Sequence, residues 1–276
     1  MDPQAEPAES AASVTAPLTF FVDNGEPPVN HVTENGLERG GEYRDHALQI
    51  HDARPLGDSL SLSRQGFELW RHDTKVANFF DPEEIERVYN PEVEKLIKQA
   101  SGASQVYVFD HTIRVENEQK RTAEKVREPV MFVHNDYTEQ SGPQRVRDFL
   151  PPEEAEELLK RRFAIIQVWR SIAGPIQTMP LALCDAQTIA PAQLITAERR
   201  TKDRVGHTQC MTYSDTNRWF YFPDMRRDEA MLLKTFESDP ANHGGVSGHS
   251  AFTNPQAPAD AEPRQSIETR AFAFFD

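Results

Sequence analysis

The stretch Arg264–Phe275 reads RQSIETRAFAFF, and its alternation is that of a β-strand. Side chains two apart share a face, so Arg264, Ser266, Glu268 and Arg270 line up on one side and Ile267 and Thr269 on the other. Similar runs precede it: Pro129–Tyr137 (PVMFVHNDY), Arg162–Arg170 (RFAIIQVWR), Pro180–Ala186 (PLALCDA), Gln209–Asp215 (QCMTYSD) and Arg218–Pro223 (RWFYFP). All are short and rich in β-branched or aromatic residues, and several alternate. Earlier still, LTFFV from Leu18, HALQIHDA from His46 and SQVYVFDH from Ser104 have the same character. Strands joined by turns rather than by regular crossover helices argue against a doubly wound sheet and for an antiparallel sandwich or barrel. No GxGxxG, phosphate-binding loop or internal repeat interrupts that pattern.

Helical spacing is confined to a few places. In Asp81–Ser101 (DPEEIERVYNPEVEKLIKQAS), Ile85, Val88, Tyr89, Val93, Leu96 and Ile97 recur at helical intervals. Pro82 and Pro91 suit first turns, so two consecutive helices are expected, one either side of Asn90, supporting a sheet from outside. A third is expected over Pro151–Arg162, with acids first and bases last as the helix dipole prefers. A fourth is expected over Asp228–Glu237 (DEAMLLKTFE). Residues 1–16 lack a periodic apolar pattern and read as a flexible tail, because burial there cannot offset the entropy of ordering. Residues 17–276 read as one domain, with strands and support helices over 17–110 and the β core over 111–276.

The 276 residues suffice for a large core without metal or disulfide staples. A net charge of −14 repels phosphate backbones and anionic lipid, which argues against nucleic-acid and membrane-surface roles. The apolar runs, such as Phe163–Ile166, fall far short of the roughly 18 residues of a membrane span. With no signal core, an intracellular, cytoplasmic protein is expected. Cys184 and Cys210 then read as buried thiols, too few for a cysteine-based zinc site.

Chemistry concentrates at two places. His134 and Asp136, two apart in an extended run, present an imidazole and a carboxylate to one side. They would fill two of the three positions of a two-His-one-carboxylate iron site, which leaves the remaining positions for co-substrate and dioxygen. Such a His-x-acid triplet also arises by chance at this composition, so the second place matters. His249 follows a glycine-rich turn, and fifteen residues later comes Arg264 with Ser266 on its face. A guanidinium and a neighbouring hydroxyl can hold a carboxylate by several hydrogen bonds. The alternative is a salt-bridged strand in which Glu268 pairs with Arg264 and Arg270. His243 competes with His249 for the distal position, and His207, among charges, is expected to be exposed. Tyr137, Trp169, Trp219 and Tyr221 could line a pocket or fill the core.

The order His-x-Asp, distant His, Arg-x-Ser resembles the non-haem Fe(II), 2-oxoglutarate-dependent oxygenases. More specifically, GFELW, YNPEVEKLIKQASGASQVYVFDHTIR, VHNDYT, VWRSIAGPIQTMPLALCDAQT, RWFYFPDMRRDEAMLLKTFESD and HSAFTNP with PRQSIETRAFAFF are similar to one branch of that family. This branch contains the CmcJ-like cephamycin 7-hydroxylase-related proteins and the fungal gibberellin-desaturase-like oxidases. The similarity runs from about Leu18 to the C-terminus. It implies a mainly β fold, the double-stranded β-helix or cupin-like jelly roll, with flanking helices, and His134, Asp136 and His249 as iron ligands. HSAF before Arg-x-Ser favours His249 over His243. The Arg264–Arg270 segment would anchor 2-oxoglutarate, either Arg264 or Arg270 serving as the anchor. Arg170 resembles a constant feature of the family and would reach the pocket to meet an acid, or else pair with a surface acid such as Asp185. The implied chemistry is hydroxylation, desaturation or oxidative ring formation on a small secondary-metabolite intermediate, with Fe(II), 2-oxoglutarate and dioxygen. Two rivals share the fold: an iron oxidase that does not use 2-oxoglutarate, and a non-catalytic cupin-like small-molecule binding protein. The oligomeric state is open.

Overall fold

The computed structural model describes residues 12–33 and 36–276. Along them run β1 Ser13–Val22, β2 Val29–Thr33, β3 Gly36–Glu38, β4 Glu42–Asp52, β5 Phe67–Arg71, β6 Gln105–Val115, β7 His134–Asn135, β8 Phe163–Ser171, β9 Leu181–Cys184, β10 Leu194–Arg200, β11 Val205–Met211, β12 Trp219–Tyr221, β13 Glu229–Glu237, β14 His249–Ala251 and β15 Gln265–Phe274. A ten-stranded sheet has the order β1-β4-β12-β9-β14-β7-β11-β10-β2-β3, and a five-stranded sheet the order β5-β13-β8-β15-β6. Pairing is antiparallel except between β10 and β2 and between β12 and β4. The large sheet curls until Phe21 of β1 bridges Thr212, just past β11. The N-terminal third thus contributes strands to both sheets.

Alternation along β8 and β15 builds two cores at once. Ala164, Ile166, Val168, Ile267, Ala271 and Ala273 face outward and are covered by Val93, Leu96 and Ile97. The other face carries Trp169 against Leu181 and Leu183 of β9, and Phe163, Ile165, Phe272 and Phe274 against Val146, Ala155 and Leu158. Each fully buried aliphatic side chain contributes about 1.5–3 kcal/mol, so this double coverage fixes the register of the small sheet.

The chain departs from expectation in several places, each for a physical reason. Pro82–Glu84, Ile85–Tyr89 and Asn90–Ser101 run as one helix with a π turn in the middle, where the Asn90 N–H donates to the Ile85 carbonyl. Pro91 has no N–H to give the preceding turn, and the widened turn carries the helix past it. The segment expected as a helix over Asp228–Glu237 is β13, all nine residues buried between β5 and β8. An apolar run buried on both faces has no alternation to distinguish it from a buried helix. Pro129–Tyr137 supplies only the two-residue β7. Helices at Glu118–Glu124 and Ser141–Phe149 were not foreseen, and the one expected over Pro151–Arg162 spans Pro152–Leu158. Of the expected tail, residues 1–11 lie outside the described residues, and Ser13–Ala16 belong to β1 with Val14 and Ala16 buried. Cys184 and Cys210 are buried and unpaired with each other. Among the described residues, no helix is long and apolar enough to cross a membrane.

Candidate active site

His134 on β7 stands opposite His249 on β14 in the backbone register. Directly opposed residues of an antiparallel pair project to the same face, and the two rings lie 4.5 Å apart between centroids. Asp136, one residue past β7, turns back to place Oδ1 3.6 Å from His134 Nε2. One potential ligand atom from each of His134, Asp136 and His249 lies within 4.8 Å of the others.

The remaining polar atoms of the three side chains are tied down in the way a metal site requires. His134 Nδ1 is 2.9 Å from the Phe132 carbonyl and His249 Nδ1 is 3.2 Å from the Ser247 carbonyl. A carbonyl can only accept, so each Nδ1 donates and each Nε2 keeps its lone pair for the cluster. Burial first, and the neighbouring His249 second, push the His134 pKa down to about 4, so the ring is neutral and able to ligate at pH 7. Asp136 Oδ2 accepts from Arg270 Nε at 3.1 Å and from Gln167 Nε2. Burial alone would raise this carboxyl, but Arg270 and the two histidines hold it well below the usual carboxylate range. Two imidazole nitrogens and one carboxylate oxygen are the donor set expected for a six-coordinate iron with positions left open, and these residues fit it.

The small sheet closes the site from the opposite side. Three rungs across β8, β15 and β6 face inward: Ser171, Ser266 and Arg114; Trp169, Glu268 and Thr112; Gln167, Arg270 and Asp110. Arg270 is saturated. It donates to Asp110 at 2.9 Å, to Thr112 Oγ1 at 3.2 Å, to Asp136 and to Glu268. Despite burial, Arg114 and Arg270 together hold the Glu268 pKa down to about 2.

Arg264, 2% exposed, is different. Its Nε donates to Ser266 Oγ at 3.0 Å and its Nη1 to the Met179 carbonyl at 3.0 Å, and the guanidinium lies 4.9 Å from the Trp169 ring centre. Among the described residues no carboxylate forms an ion pair with it. Burial, then the like charge of Arg114, pull its pKa down to about 9.

Several sequence-based expectations need correction. Arg170 pairs with Ile267 in the register and so points to the outer face of β8, away from the cluster. There it meets His72 Nδ1 at 2.5 Å and lies 5.3 Å from the Tyr89 ring centre, while Asp185 pairs with Arg218 at 2.6 Å. Trp219 and Tyr221 are also turned away. Phe220 stands opposite Leu183, and Leu183 opposite His249, so Phe220 shares the histidine's face and its two neighbours do not. They pack instead on Phe20 and Phe252, at 5.7 and 5.5 Å. His243 lies outside the cluster, 3.8 Å from Asp239, and His207 is half-buried rather than exposed. Tyr137 stays beside the site, its ring 6.5 Å from Phe109. Gln167 was overlooked. A lone polar residue inside the apolar run FAIIQVWR was the available signal, since a buried amide needs a partner.

A family model described as "Oxidoreductase/YMDC permease-like domain" matches residues 18–274. The Fe(II)/2-oxoglutarate-dependent dioxygenase nvfI of Aspergillus novofumigatus is 33% identical over 245 residues, 84% of each chain. The chain belongs to this family of Fe(II)/2-oxoglutarate-dependent dioxygenases. The hydroxylase/desaturase CTB9 of Cercospora beticola is 31% identical over 256 residues, 85% of this chain and 78% of that one. A solved structure of the iron and alpha-ketoglutarate-dependent endoperoxidase NvfI superposes with a TM-score of 0.85 at 28% identity, covering 95% of this dioxygenase and 98% of that chain. The fold is therefore the jelly roll that the resemblance implied, and the dioxygenase is an oxidoreductase using Fe(II), 2-oxoglutarate and dioxygen. The reading as a non-catalytic binding protein and the reading as an oxidase without 2-oxoglutarate are set aside. Relatives named hydroxylase/desaturase and endoperoxidase place it among secondary-metabolite oxygenases.

Proposed function

We propose that His134, Asp136 and His249 hold the iron through the two Nε2 atoms and Asp136 Oδ1, and that Arg264 with Ser266 anchors the remote carboxylate of 2-oxoglutarate. Residues 17–276 then act as one oxygenase domain on a small secondary-metabolite intermediate, by hydroxylation, desaturation or ring formation. The observation that carries the ligand assignment is the convergence of these three donor atoms with every other polar atom of the three side chains already bonded.

Iron with 2-oxoglutarate and dioxygen supplies an oxidant that can remove hydrogen from an unactivated C–H bond while 2-oxoglutarate becomes succinate and carbon dioxide. The protein's part is orientation, electrostatics and exclusion of water. Arg270 and Gln167 fix the Asp136 carboxylate, so one oxygen stays directed at the metal. Arg264 is a buried cation without a carboxylate ion pair among the described residues, and a buried charge of that kind is stabilised by an incoming anion. Its Ser266 and Met179 contacts hold the guanidinium fork in place. Trp169, beneath Arg264, shields that end from solvent. Tyr137 and its aromatic neighbours line the substrate side.

The test is spectroscopic and chemical. Anaerobic protein with Fe(II) and 2-oxoglutarate should develop a weak visible charge-transfer band, and oxygen should then release succinate. His249→Ala should abolish iron binding while the fold survives, and His243→Ala should not. Full iron occupancy in His249→Ala would refute the ligand assignment.

A further inference from the structure

Around the His134, Asp136 and His249 cluster, not every guanidinium has a carboxylate. The side chains of His134 and Asp136 are 13% and 16% exposed, so the cluster opens to solvent on one side. Phe132 lies beside His134, its ring 5.1 Å from the imidazole, with the Arg39 guanidinium 5.1 Å from the Phe132 ring centre and 4.9 Å from that of Tyr43. Cys210 is opposite His134 in the register and Ile195 is opposite Cys210. By alternation Ile195, Ala197 and Arg199 therefore share the histidine's face, and Ile195 and Ala197 pack with Phe132 and Tyr43. Arg199, half-buried, stands at the end of that apolar strip. From the small sheet, Arg127 pairs with Arg114 at the edge of β6.

Arg114, Arg145 and Arg270 have their acids in Glu268, Asp148 and the Asp110, Asp136 and Glu268 group. Arg39, Arg127 and Arg199 form no ion pair with any described residue. Burial, followed by the like charges of Arg127 and Arg145, makes the Arg199 charge costly, and Asp136 offsets only part of that. In a chain of net charge −14, arginines without an ion pair locally favour an anion. Arg264 already provides for the co-substrate, so these cations are available to something else.

We propose that Arg199 binds a carboxylate on the organic substrate, with Arg127 adding positive charge, so that the substrate class is a hydrophobic acid whose apolar body rests along Phe132. This rests on the reading of His134, Asp136 and His249 as the iron site. A guanidinium fork donates bidentately to a carboxylate, and pinning one end of the substrate leaves a fixed C–H facing the cluster.

The test uses anaerobic holoenzyme with Fe(II) and 2-oxoglutarate, titrated calorimetrically with naphthalene-2-carboxylate and with its methyl ester. The acid should bind about ten-fold more tightly or better, the scale of one charge-assisted hydrogen bond. Arg199→Gln should reduce the acid to the level of the ester without changing 2-oxoglutarate affinity. Arg199→Lys, which keeps the charge, should retain part of the preference, and Arg127→Gln should weaken it. Equal binding of acid and ester to the unsubstituted enzyme would overturn the proposal, as would a preference that survives in Arg199→Gln. A fall in 2-oxoglutarate affinity in Arg199→Gln without loss of the acid preference would overturn it too, by giving the arginines to the co-substrate. Failure of the iron reading shows separately, as absence of iron binding and of the charge-transfer band, because the calorimetric comparison does not use that band.

Discussion

Arg264, one residue before β15, and Arg270 within it lie six residues apart in opposite electrostatic surroundings. Arg270 is bonded to Asp110, Asp136 and Glu268, which raise its pKa well above the ordinary value against the effect of burial. Arg264 has a hydroxyl, a carbonyl and an aromatic face. The first is a finished structural element, because every acceptor it needs is built into the chain. The second has no ion pair among the described residues, which makes it the better candidate of the two to bind an anion. The contrast is the ground for proposing Arg264 rather than Arg270 as the 2-oxoglutarate anchor, a choice that alternation alone leaves open.

The largest effect should come from Arg270. Removing one partner from a buried ionic network leaves the others uncompensated, at about 3–5 kcal/mol, so Arg270→Met should lower the melting temperature of the metal-free protein steeply and loosen Asp136 as well. A variant that melts with the unsubstituted protein would break the comparison at its stronger end. Acid titration examines the same network. The Glu268 pKa lies at about 2 in the fold against an ordinary 4.5. A depressed carboxylate adds stability that is fully present above its unfolded value and lost as pH falls towards its folded value. Stability should therefore drop between pH 4.5 and 2, and Glu268→Gln should flatten part of that drop while costing stability at neutral pH. Melting curves across this range decide it.

Arg264 should behave in the opposite manner. Arg264→Met removes a buried charge that has no carboxylate partner, so the metal-free protein should melt near the unsubstituted one. The loss should appear as 2-oxoglutarate affinity weakened about 10–100-fold, the scale of one or two charge-assisted hydrogen bonds. The rise in melting temperature that bound 2-oxoglutarate gives by mass action should vanish with it. Arg264→Lys keeps the charge without the fork and should raise the 2-oxoglutarate requirement more than it lowers the maximal rate. If Arg270→Lys does that instead, the assignment is reversed.

These two arginines also mark how far the sequence could be read. Strand alternation placed Ser266, Glu268 and Arg270 on one face correctly, because the period of two survives any tertiary context, and Arg264, just before the strand, joins them through its bond to Ser266. The same rule applied to Arg162–Arg170 would have put Arg170 opposite Trp169 and so on the outer face. The family resemblance suggested a pocket role for it instead, and that role fails against the pairing with Ile267. Residues 228–237 misled for another reason: full burial on both faces erases periodicity. His134 and Asp136 converge even though the strand ends between them at Asn135, so the motif was legible while its local structure was not. Gln167 left a trace as the lone polar residue of an apolar run, but its partner Asp136, like the place of Arg199, became visible only in the folded chain.

A smaller effect belongs to Gln167. It shares the Asp136 oxygen with Arg270, so Gln167→Ala removes one of two groups that orient the carboxylate. Loss of such an outer-shell partner typically costs about 10–100-fold in metal affinity, and with Arg270 still present the lower end is expected. Competition with a metal chelator measures it, and unchanged iron affinity would mean that Arg270 alone orients Asp136.

The smallest effect should come from Arg170. It is buried like Arg264 and forms no ion pair with a carboxylate among the described residues, so by charge alone the two look equivalent, and only the register separates them. Arg170 lies on the helix side of the small sheet with His72 and Tyr89, behind the backbone that carries Trp169. Arg170→Met keeps most of the aliphatic stem and removes a buried charge, an exchange that is often neutral or stabilising. Iron affinity, 2-oxoglutarate affinity and the ratio of products should all stay at the unsubstituted values, with at most a small change in melting temperature. If Arg170→Met raised the 2-oxoglutarate requirement as Arg264→Met should, burial and missing counter-ions would not suffice to locate the anchor. The outer face of β8 would then have to communicate with the site through the strand itself.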